Sequence, residues 1–500
     1  MCVFMHVLLE QRVSLVSLFT GRDVISLLPT SSGKTFAFLG LVVLYNKLFA
    51  KRRPEWRPLL IVISPLINLM KEQSLGFNYY ASAARLPLVA GHLTSDQKDA
   101  DVPRSVYSGA SCFSVLFLSP EKAKGQYKFL FSRPAYKERN VAIVLDEVHC
   151  VIVTFFLIVS YIVLLDICLF LCLFLCFKHW GSKFRATFAE LYPLRLLNDR
   201  VPWGAYTATL TTDERKDTIR ILGLKDPVIS EKPCNRKNIF LVVKQFDQQE
   251  FLDSLVKELN EQKGDTPRYL IYTKYKGDAR LFAQHIANRI GQYSGATGCR
   301  RVNHINASLS LEEQSTILAD FSRVDSDCRV LFSSIVVGMG TDLRSITRVA
   351  RIGQSENLGK WAQELGRAGR GGERSIATLY LCSGRRFPTS KEMRPFVSAT
   401  LCLRMLIVSY YNSDFKLADI DVLGETEADK TFNCCSVCRE RQSRSNVTVK
   451  ASDSEETETD DEEEEKIDRE AENSDNEEDI NYDTDETHVL SKMHELERNQ

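Results

Sequence analysis

Residues 21–35 read GRDVISLLPTSSGKT, and the ten residues after them read FAFLGLVVLY. An apolar run, a loop of small residues and a helix-forming stretch in direct succession is the repeating unit of a parallel α/β sheet. The loop closes on Gly33, Lys34 and Thr35. Small residues at such a place let backbone N–H groups close around phosphate oxygens, while a lysine brings charge to the β/γ-phosphates and a threonine hydroxyl can ligate Mg²⁺. The full Gly-x4-Gly-Lys-Thr pattern fails at its first position, which is Leu28, and a bare Gly-Lys-Thr also occurs in ordinary loops.

Outward from this segment the same alternation continues. LLIVISPLINL (59–69), SVLFLSPE (114–121) and VAIVLDE (141–147) are the apolar runs of buried parallel strands, separated by helix-like stretches. A second series starts near Asn238 with RYLIYTK (268–274), CRVLFSSI (328–335) and RSIATLYL (374–381). The polar SEKPCNRKN (230–238) reads as the linker. The expected organisation is therefore one α/β lobe over residues 1–230, a second over 236–385, a small third region over 386–440 and a disordered acidic tail over 441–500. Net charge is −1, but residues 451–500 hold 22 acidic and 4 basic side chains, so the body before them carries 60 basic against 43 acidic. A basic body suits a polyanionic partner without proving one, and the tail suits basic protein partners or simple solvation. Fourteen cysteines without small-domain disulfide spacing point to a reducing compartment, the nucleus or the cytosol, rather than secretion.

VAIVLDEVH (141–149) ends an apolar strand in Asp146 and Glu147. A carboxylate pair at the carboxyl end of such a strand can hold Mg²⁺ and polarise an attacking water, although solvated Asp-Glu pairs are common. Found in this order about 110 residues apart, the loop and the carboxylates imply a nucleotide triphosphatase. In the second lobe WAQELGRAGRGG (361–372) offers Gln363, Arg367 and Arg370 on one segment, from which a guanidinium could reach a γ-phosphate. Its four glycines argue against a merely structural helix end.

These pieces and those between them resemble the RecQ family of superfamily 2 DNA helicases. Gln11 stands ten residues before GRD; LPTSSGKT, SPLINLMKEQ, LFLSPEKA, LDEVHC, HWGSKFRATFAELYPLR (179–195) and AYTATLT (205–211) follow in family order. LIYTK, VLFSSIVVGMGTDLRSITRVARIG (330–353) and QELGRAGRGG continue it through the second lobe. The resemblance implies two RecA-like lobes with ATP and Mg²⁺ between them, driving 3′ to 5′ unwinding of DNA, single-stranded or at duplex junctions, in repair or recombination. It assigns Gln11 to adenine, and Thr30, Ser31, Ser32, Gly33, Lys34, Thr35 and Asp342 to the nucleotide. Asp146 and Glu147 go to metal and water, Gln363, Arg367 and Arg370 to the phosphates. Trp180, Phe184 and Arg185 would bind single-stranded DNA, an aromatic giving bases a stacking platform. This sequence departs from the family in carrying Arg351 for a histidine and Val148 for an alanine, and in its first ten residues.

Two further segments stand apart. Cys402, Cys434, Cys435 and Cys438 occupy the place of the family's four-cysteine zinc module, and Cys435-x2-Cys438 has the bite of a Zn²⁺ ligand pair; reduced thiols are the alternative. VTFFLIVSYIVLLDICLFLCLFLCFK (153–178) separates Cys150 from Trp180 where the family has about three residues. Its length suits a membrane span, but a span there would part Lys34 from Arg370, so no stable membrane association is expected. A run that begins with valine, ends with lysine and is rich in Phe, Leu and Cys is also what an intron translated in frame would give.

Overall fold

The computed structural model describes residues 8–29, 32–94, 101–109, 112–150, 190–232, 234–291, 301–323, 325–334, 343, 345–383, 389–411, 434–441 and 443. Those up to Val437 belong to one compact unit; a second unit begins at Cys438.

Seven strands form the first sheet: β1 (Val24–Leu27), β2 (Leu59–Ile63), β3 (Ala90–Leu93), β4 (Val115–Leu118), β5 (Asn140–Asp146), β6 (Trp203–Thr207) and β7 (Val228–Glu231). All pair in parallel, in the order β3-β4-β2-β5-β6-β1-β7. Every residue of β1, β2, β4, β5 and β6 is buried, which is why the segments read as mostly apolar runs without polar alternation, as in a sheet covered on both faces.

The second sheet contains β8 (Ile239–Gln245), β9 (Arg268–Thr273), β10 (Val302–Ile305), β11 (Val330–Ser333), β12 (Ile346–Ile352) and β13 (Ser375–Leu381). It is also parallel, ordered β10-β11-β9-β12-β13-β8. The chain is thus two parallel α/β lobes in tandem, followed by the short helices Arg394–Ser398 and Leu403–Tyr411. Among the described residues no helix is long and apolar enough to cross a membrane.

What this topology does for a site is place β1, β6 and β5 side by side, so that the segments leaving their carboxyl ends meet. The opposite ends of β1 and β6 are tied by Asp23. Its carboxylate, 4% exposed as a residue, accepts from Arg195 NH2 (2.5 Å) and from the backbone N–H groups of Trp203 (2.8 Å) and Lys225 (2.6 Å). A buried carboxylate needs donors of this kind to offset its lost hydration. The GRD turn read from the sequence is therefore the fixed base of the strand that leads into the small-residue loop.

Candidate nucleotide site

At the end of β1 the chain passes through Leu28 and Pro29 and turns into the helix Lys34–Phe49 at Gly33, whose φ is +71°. A side chain is excluded there twice over. The conformation is left-handed, and a Cβ would sit 2.4 Å from Gln11 Nε2. Gln11, itself buried, donates from that nitrogen to the carbonyls of Ser32 (2.6 Å) and Gly33 (3.3 Å), while its Oε1 accepts from Leu8 N–H. Gln11 thus braces the loop. The helix it leads into begins with N–H groups that have no partner within the helix, the usual setting for an anion.

β5 ends in Asp146, 2% exposed, and the next residue, Glu147, has φ +56°. A left-handed glutamate costs on the order of 1–3 kcal/mol and persists only where the surroundings enforce it. Here it lets Glu147 N–H donate to Asp146 Oδ1 (3.0 Å) and turns the Glu147 carboxylate toward Lys34, with Nζ to Oε1 at 3.3 Å. Gln73, in the helix Ile67–Ala83, joins the two halves: its Nε2 donates to Thr35 Oγ1 (3.2 Å) and to Asp146 Oδ2 (3.1 Å). One amide therefore gathers a hydroxyl and a carboxylate oxygen, the hard oxygen donors that Mg²⁺ prefers. Burial, together with the charge of Glu147, pushes Asp146 up to about 6, so the carboxylate calls for a positive partner. Glu147 goes the other way: against burial, Lys34 and the hydrogen bond from His149 hold it well below the ordinary carboxylate range. His149 lies 3.3 Å from Glu147 Oε2 and 3.0 Å from Thr207 Oγ1 at the end of β6; Thr207 Oγ1 also accepts from Thr209 N–H (3.3 Å).

The second lobe meets this line of contacts. Gln363, in the helix Leu358–Leu365, donates from Nε2 to Thr209 Oγ1 (3.2 Å). Its neighbour Glu364 is 1% exposed and pairs with Arg351 at the end of β12 (2.5 Å). Arg351, the departure from the family's histidine, is thereby a buried strut under the helix. Arg367 is buried and Arg370 half-buried on the turn that follows.

Residues 10–164 match the DEAD/DEAH box helicase family and residues 249–372 the helicase conserved C-terminal domain, together more than half of the chain. A mouse relative, the bifunctional 3′-5′ exonuclease/ATP-dependent helicase WRN, is 25% identical over 87% of this chain and 28% of its own length. The Saccharomyces cerevisiae ATP-dependent helicase SGS1 is 25% identical over 79% of this chain and 25% of its own. The chain belongs to the RecQ-like DEAD/DEAH box helicases. It spans about a quarter of the length of these two relatives. The RecQ-like chain also shares its fold with the DEAD-box helicase Mss116 bound to single-stranded RNA and UDP-BeF, at a TM-score of 0.55 and 15% identity, covering 78% of this chain and 72% of that one.

In this RecQ-like protein the sulfurs of Cys402, Cys434 and Cys435, all in the first unit, lie within 4.8 Å of one another; Cys438 opens the second unit. Cys435 bridges to Leu241 on the edge strand β8, and Cys434 O accepts from Leu241 N–H (3.3 Å). Thr30, Ser31, Trp180, Phe184, Arg185, Asp342 and the apolar segment 153–178 lie outside the described residues, as does the acidic tail from 444 onward. Sequence reasoning missed Gln73, His149, Thr209 and Glu364. All four were inside motifs already quoted, but only the three-dimensional fold gives them their partners.

Proposed function

We propose that this chain couples ATP hydrolysis between its two lobes to unwinding of DNA in the 3′ to 5′ direction. The observation that carries the reading is the single hydrogen-bonded line Thr35, Gln73, Asp146, Glu147 and Lys34, with Gln363 of the other lobe at Thr209 beside it. Lys34 would bind the β/γ-phosphates, and Thr35 and Asp146 would hold Mg²⁺, whose charge offsets that of the phosphates. Glu147, kept ionised by Lys34 and His149, would orient the water and accept its proton. Arg370 would meet the charge that develops on the transferred group, and Arg367 and Gln363 would keep the arginine turn against the site. Gln11 would read adenine while bracing the loop. DNA rather than RNA is proposed from the RecQ motif order, since the shared fold alone serves both.

The apolar segment 153–178 favours a second reading, a chain that binds ATP or nucleic acid without unwinding, because it parts Cys150 from the loop with Trp180, Phe184 and Arg185. We propose that the segment is a translated intron and that the working chain lacks it. ATP hydrolysis should be stimulated at least about tenfold by single-stranded DNA in the chain without 153–178, and much less in the full chain or by RNA of the same sequence. Hydrolysis indifferent to DNA in both chains would leave the non-unwinding reading; transcripts that all encode the segment would end the intron idea.

For the cysteines we propose a structural Zn²⁺ held by Cys402, Cys434, Cys435 and Cys438, since four cysteines supply the sulfur donors that its tetrahedral site takes. About one zinc per chain should copurify without chelators, and Cys435→Ser should release it; a metal-free preparation of full stability would refute the assignment.

A further inference from the structure

We infer that Arg236, in the connector between the two sheets, is the positioning residue for Arg370, an inference that rests on the reading of Arg370 as the group that meets the phosphates. The Arg236 guanidinium donates from NH1 to the carbonyl of Gly366 (3.0 Å) and from NH2 to the carbonyls of Ala368 (2.7 Å) and Gly369 (2.7 Å). These three oxygens belong to the turn that ends the helix Leu358–Leu365 and delivers Arg370. Carbonyls at and just beyond a helix end have no donor within the helix and need partners from elsewhere. A planar guanidinium with five N–H groups can serve three of them at once, and a lysine ammonium does not reproduce that fork.

The rest of the turn is built around this grip. Asn238 donates from Nδ2 to the carbonyls of Gly369 (2.8 Å) and Glu373 (2.8 Å), and Gly369 N–H donates to Ile346 O (2.8 Å). Gly369 has φ +56°, and a Cβ on it would lie 2.3 Å from Asn238 Nδ2, so the glycine is required for the connector to come this close. Arg236 is itself held from behind. Arg404, 5% exposed, donates from NH1 to Arg236 O (2.7 Å) and Asn235 Oδ1 (3.1 Å), and from NH2 to Ile239 O (2.6 Å) and Cys434 O (3.2 Å). The connector thus runs between two guanidinium clasps. One fastens it to the cysteine region; the other fastens the arginine turn to it. Any reorientation of the lobes must pass through residues 235–239, so the same segment that joins the lobes sets where Arg370 points.

The experiment is a double-mutant cycle on ATP hydrolysis in the full chain, with binding of a fluorescent ATP analogue measured in parallel. Arg236→Ala should lower kcat by about 10- to 100-fold, the scale of a small misplacement of a reacting group. Analogue affinity and KM should stay within about twofold, because the phosphate loop and the carboxylates lie on the other lobe. In an Arg370→Ala background Arg236→Ala should cost nothing further. Arg236→Lys should recover kcat only in part, and it replaces the alanine variant in the cycle if that one does not fold. Additive losses in the double variant, or an Arg236 variant with unchanged kcat, would overturn the inference. An Arg370→Ala variant that itself turns over normally would instead bring down the reading of Arg370, a distinct result.

Discussion

Arg370→Ala should lower ATP turnover by about 10³-fold or more, the contribution of an arginine finger, while leaving nucleotide affinity nearly intact. The reason lies in which lobe holds what. Lys34, Thr35, Asp146 and Glu147 all sit at the carboxyl edge of the first sheet, where Gln73 joins Thr35 to Asp146 and Lys34 pairs with Glu147 without help from the second lobe. Arg370 arrives from the other lobe on a turn fixed by three independent devices: the Arg236 clasp, the buried Arg351–Glu364 pair and the Gln363–Thr209 contact. A residue delivered so firmly to one place is suited to act when charge builds up rather than to add general affinity. Arg370→Lys should not rescue, because a point charge lacks the fork that pairs with two phosphate oxygens. Steady-state turnover and analogue binding check both halves. A variant retaining a tenth of the parental kcat would end this assignment.

The parts of this architecture that were legible in the sequence are those set by local pattern. VAIVLDE announces a doubly covered strand because all seven residues of β5 are buried, leaving no polar alternation to confuse the reading. GKT announces the loop because only a glycine tolerates φ +71° against Gln11. What stayed hidden depends on partners far apart in the chain. Arg351 read as a departure from the family's histidine, and it forms a buried pair with Glu364 that no spacing rule couples to it. Breaking such a pair by removing one partner typically costs about 3–5 kcal/mol, so the substitution has become structural. Gln11 read as a base contact, and its amide turns out to hold the phosphate loop by its carbonyls. Arg236 read only as part of a linker, because nothing in NRKN reveals that three carbonyls of residues 366–369 lie opposite it.

Glu147→Gln should slow hydrolysis by about 10²- to 10⁴-fold, the usual contribution of a positioned general base, and it should do so without weakening ATP binding. In the parent the Glu147 carboxylate sits 3.3 Å from Lys34 Nζ and competes with phosphate for that charge. The amide of glutamine keeps the size but gives up the competition, so analogue affinity should hold or rise, whereas Lys34→Ala should lose both affinity and turnover. A second consequence concerns pH. Asp146 is pushed up to about 6 by burial first and by the Glu147 charge second. With that neighbouring charge gone, Asp146 ionises at lower pH, and Mg²⁺-dependent nucleotide binding should persist further into acid than in the parent. Because Lys34 and Glu147 touch, their variants should combine non-additively: Lys34→Ala in the Glu147→Gln background should cost turnover far less than it does alone. Independent losses would mean that the Lys34–Glu147 contact is incidental to turnover, and a Glu147→Gln variant with unchanged turnover would mean that the base lies elsewhere.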